Sequence, residues 1–280
     1  LRKRAVYKRR KYNDRRRQKC NGQVELKVKF LTNYRPTVTV MIQSETAANA
    51  INTIRNAVYE GADAFGLQIC RLAPHERKYL KDIYASGGGR PFYITNYRTG
   101  HNEGLSDEEC MNGLLEGLKL GGTLGDIMGD TFDRSPNELA KNPAAIDKQK
   151  KLIDKIHNMG KSVLMSSHLY RYAEAEEVLE IAYEHQKRGA DIAKIVTAAN
   201  SEEEEAENIR ITSLLKKELK IPFLFLSGGT HYKVHRLVSP MLGSCMSLCV
   251  WQYDELATKS QPPLKFVRFV TDNMDYTPDI

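Results

Sequence analysis

The sequence predicts an α/β protein folded as a single closed (β/α)8 barrel of parallel strands, and three observations carry that prediction. Short apolar and β-branched runs recur eight times, at steps of 24 to 39 residues. Each is followed by a stretch with apolar positions three and four apart, the period of a helix with one buried face. The length of 280 residues matches the roughly 250 residues of one such TIM barrel, so a second domain is not needed. Strands buried on both faces by flanking helices read as nearly continuous apolar runs, as these do.

Taken in order, residues 21 to 31 alternate Val24, Leu26, Val28 and Phe30, a pattern that predicts an N-terminal strand, half of a hairpin closing the barrel floor. Barrel strands follow near Thr37 (TVTVMI), Asp63 (DAFGLQI), Phe92 (FYIT), Thr123 (TLGDIM), Ser162 (SVLMS), Asp191 (DIAKIV), Ile221 (IPFLFL) and Cys245 (CMSLCV). Amphipathic stretches predict helices over 46 to 60, 106 to 120, 145 to 159, 172 to 188 and 201 to 219; the second and last units have the weakest patterns. Glycines stand where helices should end, and Gly61-Ala62-Asp63 recurs as Gly189-Ala190-Asp191. A left-handed residue after a helix costs glycine little. Ser201 with Glu204 predicts a capping box, and the acidic run Glu202 to Glu205 suits the positive end of a helix dipole, not a metal. The longest loop, 129 to 144, leaves the C-terminal end of the fourth strand, where barrel active sites are built.

The net charge of +7 is unevenly placed. Residues 1 to 20 hold eleven Lys or Arg against Asp14 alone, a local +10 that leaves the other 260 residues at −3. A block of like charge is expected to be an extended or disordered arm, here 1 to 21, ahead of a catalytic domain over 22 to 280. Such an arm sticks to polyanions without reading sequence, so no specific nucleic-acid partner is expected. The arm lacks the apolar core of a secretory signal, and the chain opens with Leu1, so a cut or trimmed start is expected. No apolar run is long enough to span a bilayer, so no membrane partner is expected. Cys20, Cys70, Cys110, Cys245 and Cys249 are odd in number and widely spaced. They predict reduced thiols in a cytoplasmic protein instead of a disulfide framework or zinc ribbon.

Chemistry is sought in polar residues inside apolar strands and at their C-terminal ends. Lys194 stands in Asp191-Ile192-Ala193-Lys194-Ile195-Val196 with apolar neighbours on both sides. Desolvation favours the free amine, which attacks carbonyls to form a Schiff base. The structural alternative is a buried stem whose head reaches a carboxylate. On the neighbouring strand Ser166-Ser167-His168 ends in a histidine at the same rim, suited to moving a proton next to an iminium. Weaker signals are His231 and His235 at a zinc-like spacing, with Asp126, Asp130 and His168 as further ligands; the absence of a fixed carboxylate spacing argues against a metal. Ser227-Gly228-Gly229-Thr230 reads as a lid or a phosphate cradle, and Cys70 as buried filler.

With these residues in place, the chain from 35 to 270 resembles the type I 3-dehydroquinate dehydratase family of the shikimate pathway of aromatic amino acid biosynthesis. Met165-Ser166-Ser167-His168 looks like the family's strand ending in the catalytic histidine, and Ala190-Asp191-Ile192-Ala193-Lys194-Ile195 like the strand carrying its Schiff-base lysine. His235-Arg236-Leu237 with Leu242-Gly243-Ser244 resembles the segment whose arginine binds the substrate carboxylate, and Ser260 falls on a substrate-binding serine. Against the family pattern, Gly66 and Gln68 replace a glutamate and an arginine, Leu264 replaces a glutamine, and Arg98 with Glu103 matches an arginine and glutamate only after a shift.

The resemblance implies a lyase that dehydrates 3-dehydroquinate, or a close analogue, to 3-dehydroshikimate. Lys194 forms the Schiff base, His168 is the general acid and base, and Glu103 orients His168. Arg236, Ser260, Gln68 and Arg98 bind substrate. No metal or organic cofactor is expected, because the lysine supplies the electron sink. The expected partners are a small oxo acid and a second copy of the chain. The alternatives are an aldolase-like or other Schiff-base lyase acting on a different oxo acid, and a non-catalytic barrel that binds a partner.

Overall fold

The computed structural model describes residues 28–32 and 35–274; the basic arm lies outside the described residues. Among the described residues eight parallel strands run in chain order: β1 (Thr37–Ile42), β2 (Ala64–Gln68), β3 (Phe92–Thr95), β4 (Leu124–Met128), β5 (Ser162–His168), β6 (Ile192–Ala199), β7 (Phe223–Gly229) and β8 (Met246–Cys249). Each begins within two residues of the position expected. The helices are α1 (Ala47–Tyr59), α2 (Leu80–Ser86), α3 (Asp107–Leu120), α4 (Pro143–Asn158), α5 (Ala175–Arg188), α6 (Glu202–Glu218), α7 (Lys233–Leu242) and α8 (Leu264–Asn273). The weak second unit is real but reduced: 3-10 turns over 69–71 and 74–79 precede the seven-residue α2.

The sheet runs from β1 to β7 in sequence order, with β8 beside β1. Between β7 and β8 the seam is bridged by Cys245 N–H donating to the Phe223 carbonyl at 2.8 Å and by Phe225 N–H donating to Ser244 Oγ at 3.2 Å. Eight strands of this size close with an interior that side chains fill. Met41, Ala64, Tyr93, Leu124, Leu164, Ile192, Leu224 and Met246 fill it here. Val28, Phe30 and Leu31 join that interior cluster. The expected floor strand is not found over residues 28–32, which form a turn, so Val28 and Phe30 do not alternate across a sheet; Val24 and Leu26 lie outside the described residues.

The repeated Gly-Ala-Asp has one meaning in both halves of the barrel. Asp63 accepts a hydrogen bond from Val38 N–H at 2.9 Å, and Asp191 accepts one from Val163 N–H at 2.8 Å. Each aspartate thus ties the start of its own strand to the preceding one. Gly189 sits at φ 99°, where a β-carbon is strained, and turns the chain from α5 into β6. Ser201 caps Glu204 N–H as expected, but the Glu204 carboxylate accepts from Asn200 N–H, so that capping box is incomplete. The complete box is at Ser106 and Glu109.

Candidate active site

Strand alternation decides which side chains enter the barrel. On β6 Ile192 and Val196 line the interior while Ala193 and Ile195 pack against helices, so Lys194 projects inward. It stands opposite Ser166 of β5, and only 4% of it is exposed. Its Nζ donates to Tyr97 Oη at 2.8 Å, to Tyr93 Oη at 3.2 Å and to Asp126 Oδ2 at 3.3 Å. Asp126 comes from β4 and Tyr93 from β3, so three strands converge on one amine.

Asp126 is the hub of this cluster. Its Oδ2 also accepts from the Tyr93 and Tyr97 hydroxyls, the latter at 2.5 Å, and its Oδ1 accepts from Ser166 Oγ at 2.6 Å. Burial pushes its carboxyl up, but the Lys194 ammonium and the three hydroxyls outweigh burial and hold it below the ordinary carboxylate value. Burial first, then the Asp126 charge, keeps both phenols well above their ordinary values and therefore protonated.

His168, at the end of β5, is reached from Lys194 through Tyr97: the Tyr97 ring meets the imidazole edge to face with centroids 5.5 Å apart. Tyr170, at φ 55°, stacks on the same imidazole at 5.8 Å. His168 Nδ1 lies 2.7 Å from Glu138 Oε2, which also accepts from His168 N–H at 3.0 Å. A carboxylate oxygen only accepts, so Nδ1 carries the hydrogen and Nε2 is the basic nitrogen. This corrects the expectation for Glu103, which is exposed at the end of the 3-10 turn after β3. Glu138 comes instead from the long β4–α4 loop, at φ 44°.

That loop is held from outside the barrel. Buried Arg188 donates to the carbonyls of Gly129 and Ala140, and Gln149 donates to those of Gly129 and Thr131. Arg98 belongs to the same anchorage: its guanidinium pairs with Asp130 at 2.5 Å and Asp107 at 3.3 Å. Two carboxylates already occupy it, so the structure does not present Arg98 as a cation for substrate.

Arg236 differs from Arg98 in this respect. It lies on α7 with 8% exposure, donates from Nε to the Ser227 carbonyl at 2.5 Å, and approaches Ser260 Oγ at 3.4 Å. Among the described residues no carboxylate pairs with it. Burial pushes its pKa down to about 10, which leaves it cationic at neutral pH. Gln68 lies across the mouth, where its Oε1 accepts from Gln43 at 3.3 Å; Gln43 in turn holds Thr258, two residues before Ser260. At Gly66 an added β-carbon would clash with Met41 Sδ, so the thioether fills the space that a glutamate takes in the family pattern.

The minor signals separate. His235 packs in the core against Phe225 and bonds Thr212 Oγ1 at 3.0 Å, while His231 bonds Thr230. With Asp126 on Lys194, Asp130 on Arg98 and His168 on Glu138, no group of three metal-ligating side chains converges among the described residues. Ser227-Gly228-Gly229 extends β7, and the N–H groups of Thr230 and His231 both donate to the Ala199 carbonyl, so they do not cradle a phosphate. Cys70, Cys110, Cys245 and Cys249 are free thiols, and Cys70 is fully buried.

A parallel barrel whose C-terminal mouth brings together a buried amine, a carboxylate-oriented histidine and a buried arginine has the layout of a barrel enzyme. The model of the type I 3-dehydroquinase family matches residues 38–274, and the chain belongs to that family of hydro-lyases. A curated relative, the 3-dehydroquinate dehydratase of Aromatoleum aromaticum, is 24% identical over 196 residues, 69% of this chain and 70% of that protein. The fold is similar to that of the 3-dehydroquinate dehydratase of Geobacillus kaustophilus, with a TM-score of 0.74 and 16% identity over 89% of this chain and 95% of that one. The type I enzyme of Clostridium difficile, solved with covalently modified comenic acid, gives a TM-score of 0.73 and 16% identity over 89% and 96%.

Tyr93, Tyr97 and Glu138 are site residues that the sequence reading left out, and Asp126 entered it only as a candidate metal ligand. Asp126 carried a usable signal, a lone acid at an inward position of an apolar strand. Tyr93 and Tyr97 share the inward parity of β3. Glu138 carried only its place in the 129 to 144 loop, which has no period to single out one residue.

Proposed function

We propose that this protein dehydrates 3-dehydroquinate, or a close analogue, to 3-dehydroshikimate through a Schiff base on Lys194. The observation that carries the reading is the convergence on Lys194: a buried amine on a strand interior, with a histidine of fixed tautomer one aromatic ring away. Family membership supports the substrate. The amine adds to the ring ketone and water leaves, giving an iminium that acidifies the neighbouring C–H. Nε2 of His168 removes that proton and then delivers it to the departing hydroxyl. Hydrolysis of the imine releases product and restores the amine. Arg236 pairs with the substrate carboxylate and Ser260 assists, since a buried cation without an anion is costly until one binds.

A second reading is favoured by the rim of β1 and β2, where Gln43, Gln68 and Thr258 offer amides and a hydroxyl without charge. A site that has lost an arginine forgoes a charge-assisted bond of about 1.5 to 3 kcal/mol, roughly 10- to 150-fold in binding. Turnover of 3-dehydroquinate is therefore slow or has a high KM, and a different oxo acid is the alternative substrate. Among the described residues no helix is long and apolar enough to cross a membrane. The reading keeps the protein in the cytoplasm as a homodimer, with no specific nucleic-acid or membrane partner.

The test is incubation with 3-dehydroshikimate and borohydride, followed by peptide mass mapping. Label at Lys194 and at no other lysine supports the reading; label elsewhere, or none, refutes it. His168→Ala lowers turnover of 3-dehydroquinate by about 10²-fold or more while the adduct still forms. Label at Lys194 only with another oxo acid, without turnover of 3-dehydroquinate, selects the second reading.

A further inference from the structure

We propose that Tyr97 is a catalytic residue whose phenol relays a proton from Lys194 to Asp126 before the amine attacks the ketone, and returns it to the hydroxyl expelled as the carbinolamine collapses. The proposal rests on the Schiff-base reading above and adds to it the group that handles protons at nitrogen. Lys194 Nζ donates to three oxygens, those of Tyr97, Tyr93 and Asp126, as an ammonium does, and an ammonium has no lone pair with which to attack. The proton therefore needs a destination inside the barrel.

Three distances select the route. The direct path from Nζ to Asp126 Oδ2 is 3.3 Å, whereas the path through Tyr97 Oη takes two shorter steps of 2.8 and 2.5 Å. Tyr93 makes the same pair of contacts, but its step to Nζ is 3.2 Å and it lies fully buried in the interior layer. Tyr97 is half-buried and lies against the His168 ring, between the amine and the mouth where a substrate enters. His168 itself makes no hydrogen bond to Lys194 and is engaged by Glu138. Because burial and the Asp126 charge keep the phenol protonated, it passes one proton while accepting another and stores no charge.

The steps balance. An ammonium proton moves to Tyr97 as the phenol proton moves to Asp126, leaving amine, phenol and carboxylic acid. The amine nitrogen bonds the carbonyl carbon as the C=O π pair moves to oxygen, and the nitrogen's surplus proton follows it there, giving a neutral carbinolamine. The C–O bond then breaks; the hydroxyl takes the stored proton from Asp126 through Tyr97 and departs as water. The iminium now faces the regenerated carboxylate, the same charge pair with which the cycle began.

The experiment is rapid quenching of the full chain with 3-dehydroshikimate, borohydride being added at set times and the Lys194 peptide measured by mass. Tyr97→Phe keeps the ring against His168 and removes the oxygen. The expected result is adduct formation about 10²-fold slower, the scale of one positioned acid-base group, reaching the same final extent. Adduct formation in Tyr97→Phe at the unmutated rate overturns the relay. If Tyr97→Phe fails to fold, 2,3-difluorotyrosine at position 97 keeps the shape and makes the phenol more acidic: a changed adduct rate supports the relay and an unchanged one overturns it. Absence of any adduct in the unmutated protein refutes the Schiff-base reading instead, so the two failures are distinct.

Discussion

Glu138 accepts the hydrogen of His168 Nδ1 at 2.7 Å from a loop thirty residues earlier in the chain. The same carboxylate oxygen holds the His168 backbone N–H, and the Glu138 carbonyl accepts from Ser167 Oγ at 2.7 Å. One loop residue thus fixes both the position and the tautomer of the histidine.

Glu138→Gln offers either an oxygen or a donor to Nδ1 and no longer selects one tautomer. Turnover is expected to fall by about 10- to 10²-fold, within the range of a positioned acid-base group, with KM little changed. Glu103→Gln, altering an exposed side chain, leaves both constants as they are. Steady-state kinetics on the two variants decides it; equal effects would return the orienting role to Glu103.

Arg236→Ala removes the unpaired buried cation. With a substrate carboxylate as its partner, loss of a charge-assisted contact of about 1.5 to 3 kcal/mol lowers kcat/KM by at least roughly tenfold. Borohydride trapping of a small uncharged ketone at Lys194 persists, because that ketone has no carboxylate to lose. Loss of trapping as well would mean that Arg236 supports the fold, not the substrate.

Two buried histidines make the barrel acid-sensitive. Burial foremost, then the neighbouring Arg188 for His185 and Arg236 for His235, pushes each down to about 3. The unfolded chain takes up their protons below about pH 6.5 while the folded chain does not, so stability falls as pH drops from about 6.5 toward 3. Each contributes a slope of roughly 1.4 kcal/mol per pH unit within that window. Urea unfolding between pH 7 and pH 5 should show a shallower slope in His235→Gln, and parallel slopes would refute the assignment.

Gly66 and Met41 fill one space. Gly66→Ala overpacks it and costs about 1 to 3 kcal/mol, and Met41→Ala opens a cavity costing about 2 to 5 kcal/mol. The double variant is expected to cost at least about 1 kcal/mol less than the sum, as residues in contact do. Additive costs in chemical denaturation would show that Met41 moves aside freely.

Much of the architecture was legible because it is periodic. Alternation along β6 placed Lys194 inside the barrel, the common rim of β5 and β6 brought His168 near it, and Gly-Ala-Asp marked equivalent points in the two halves. Arg236 and Ser260 were singled out only by the family resemblance, and the structure places them 3.4 Å apart. What the sequence could not decide is which polar groups pair once the barrel closes. Arg98, expected to serve substrate, is taken up by Asp107 and Asp130. Glu103, near in sequence to the right rim, points to solvent, while Glu138 reaches His168 from a loop without periodicity. The tyrosine cluster around Lys194 depends on strands that are distant in sequence. Repeating patterns are written by burial one residue at a time, so the chain alone fixes them; the partner of a charge is chosen by distance through space, which exists only after the strands have met.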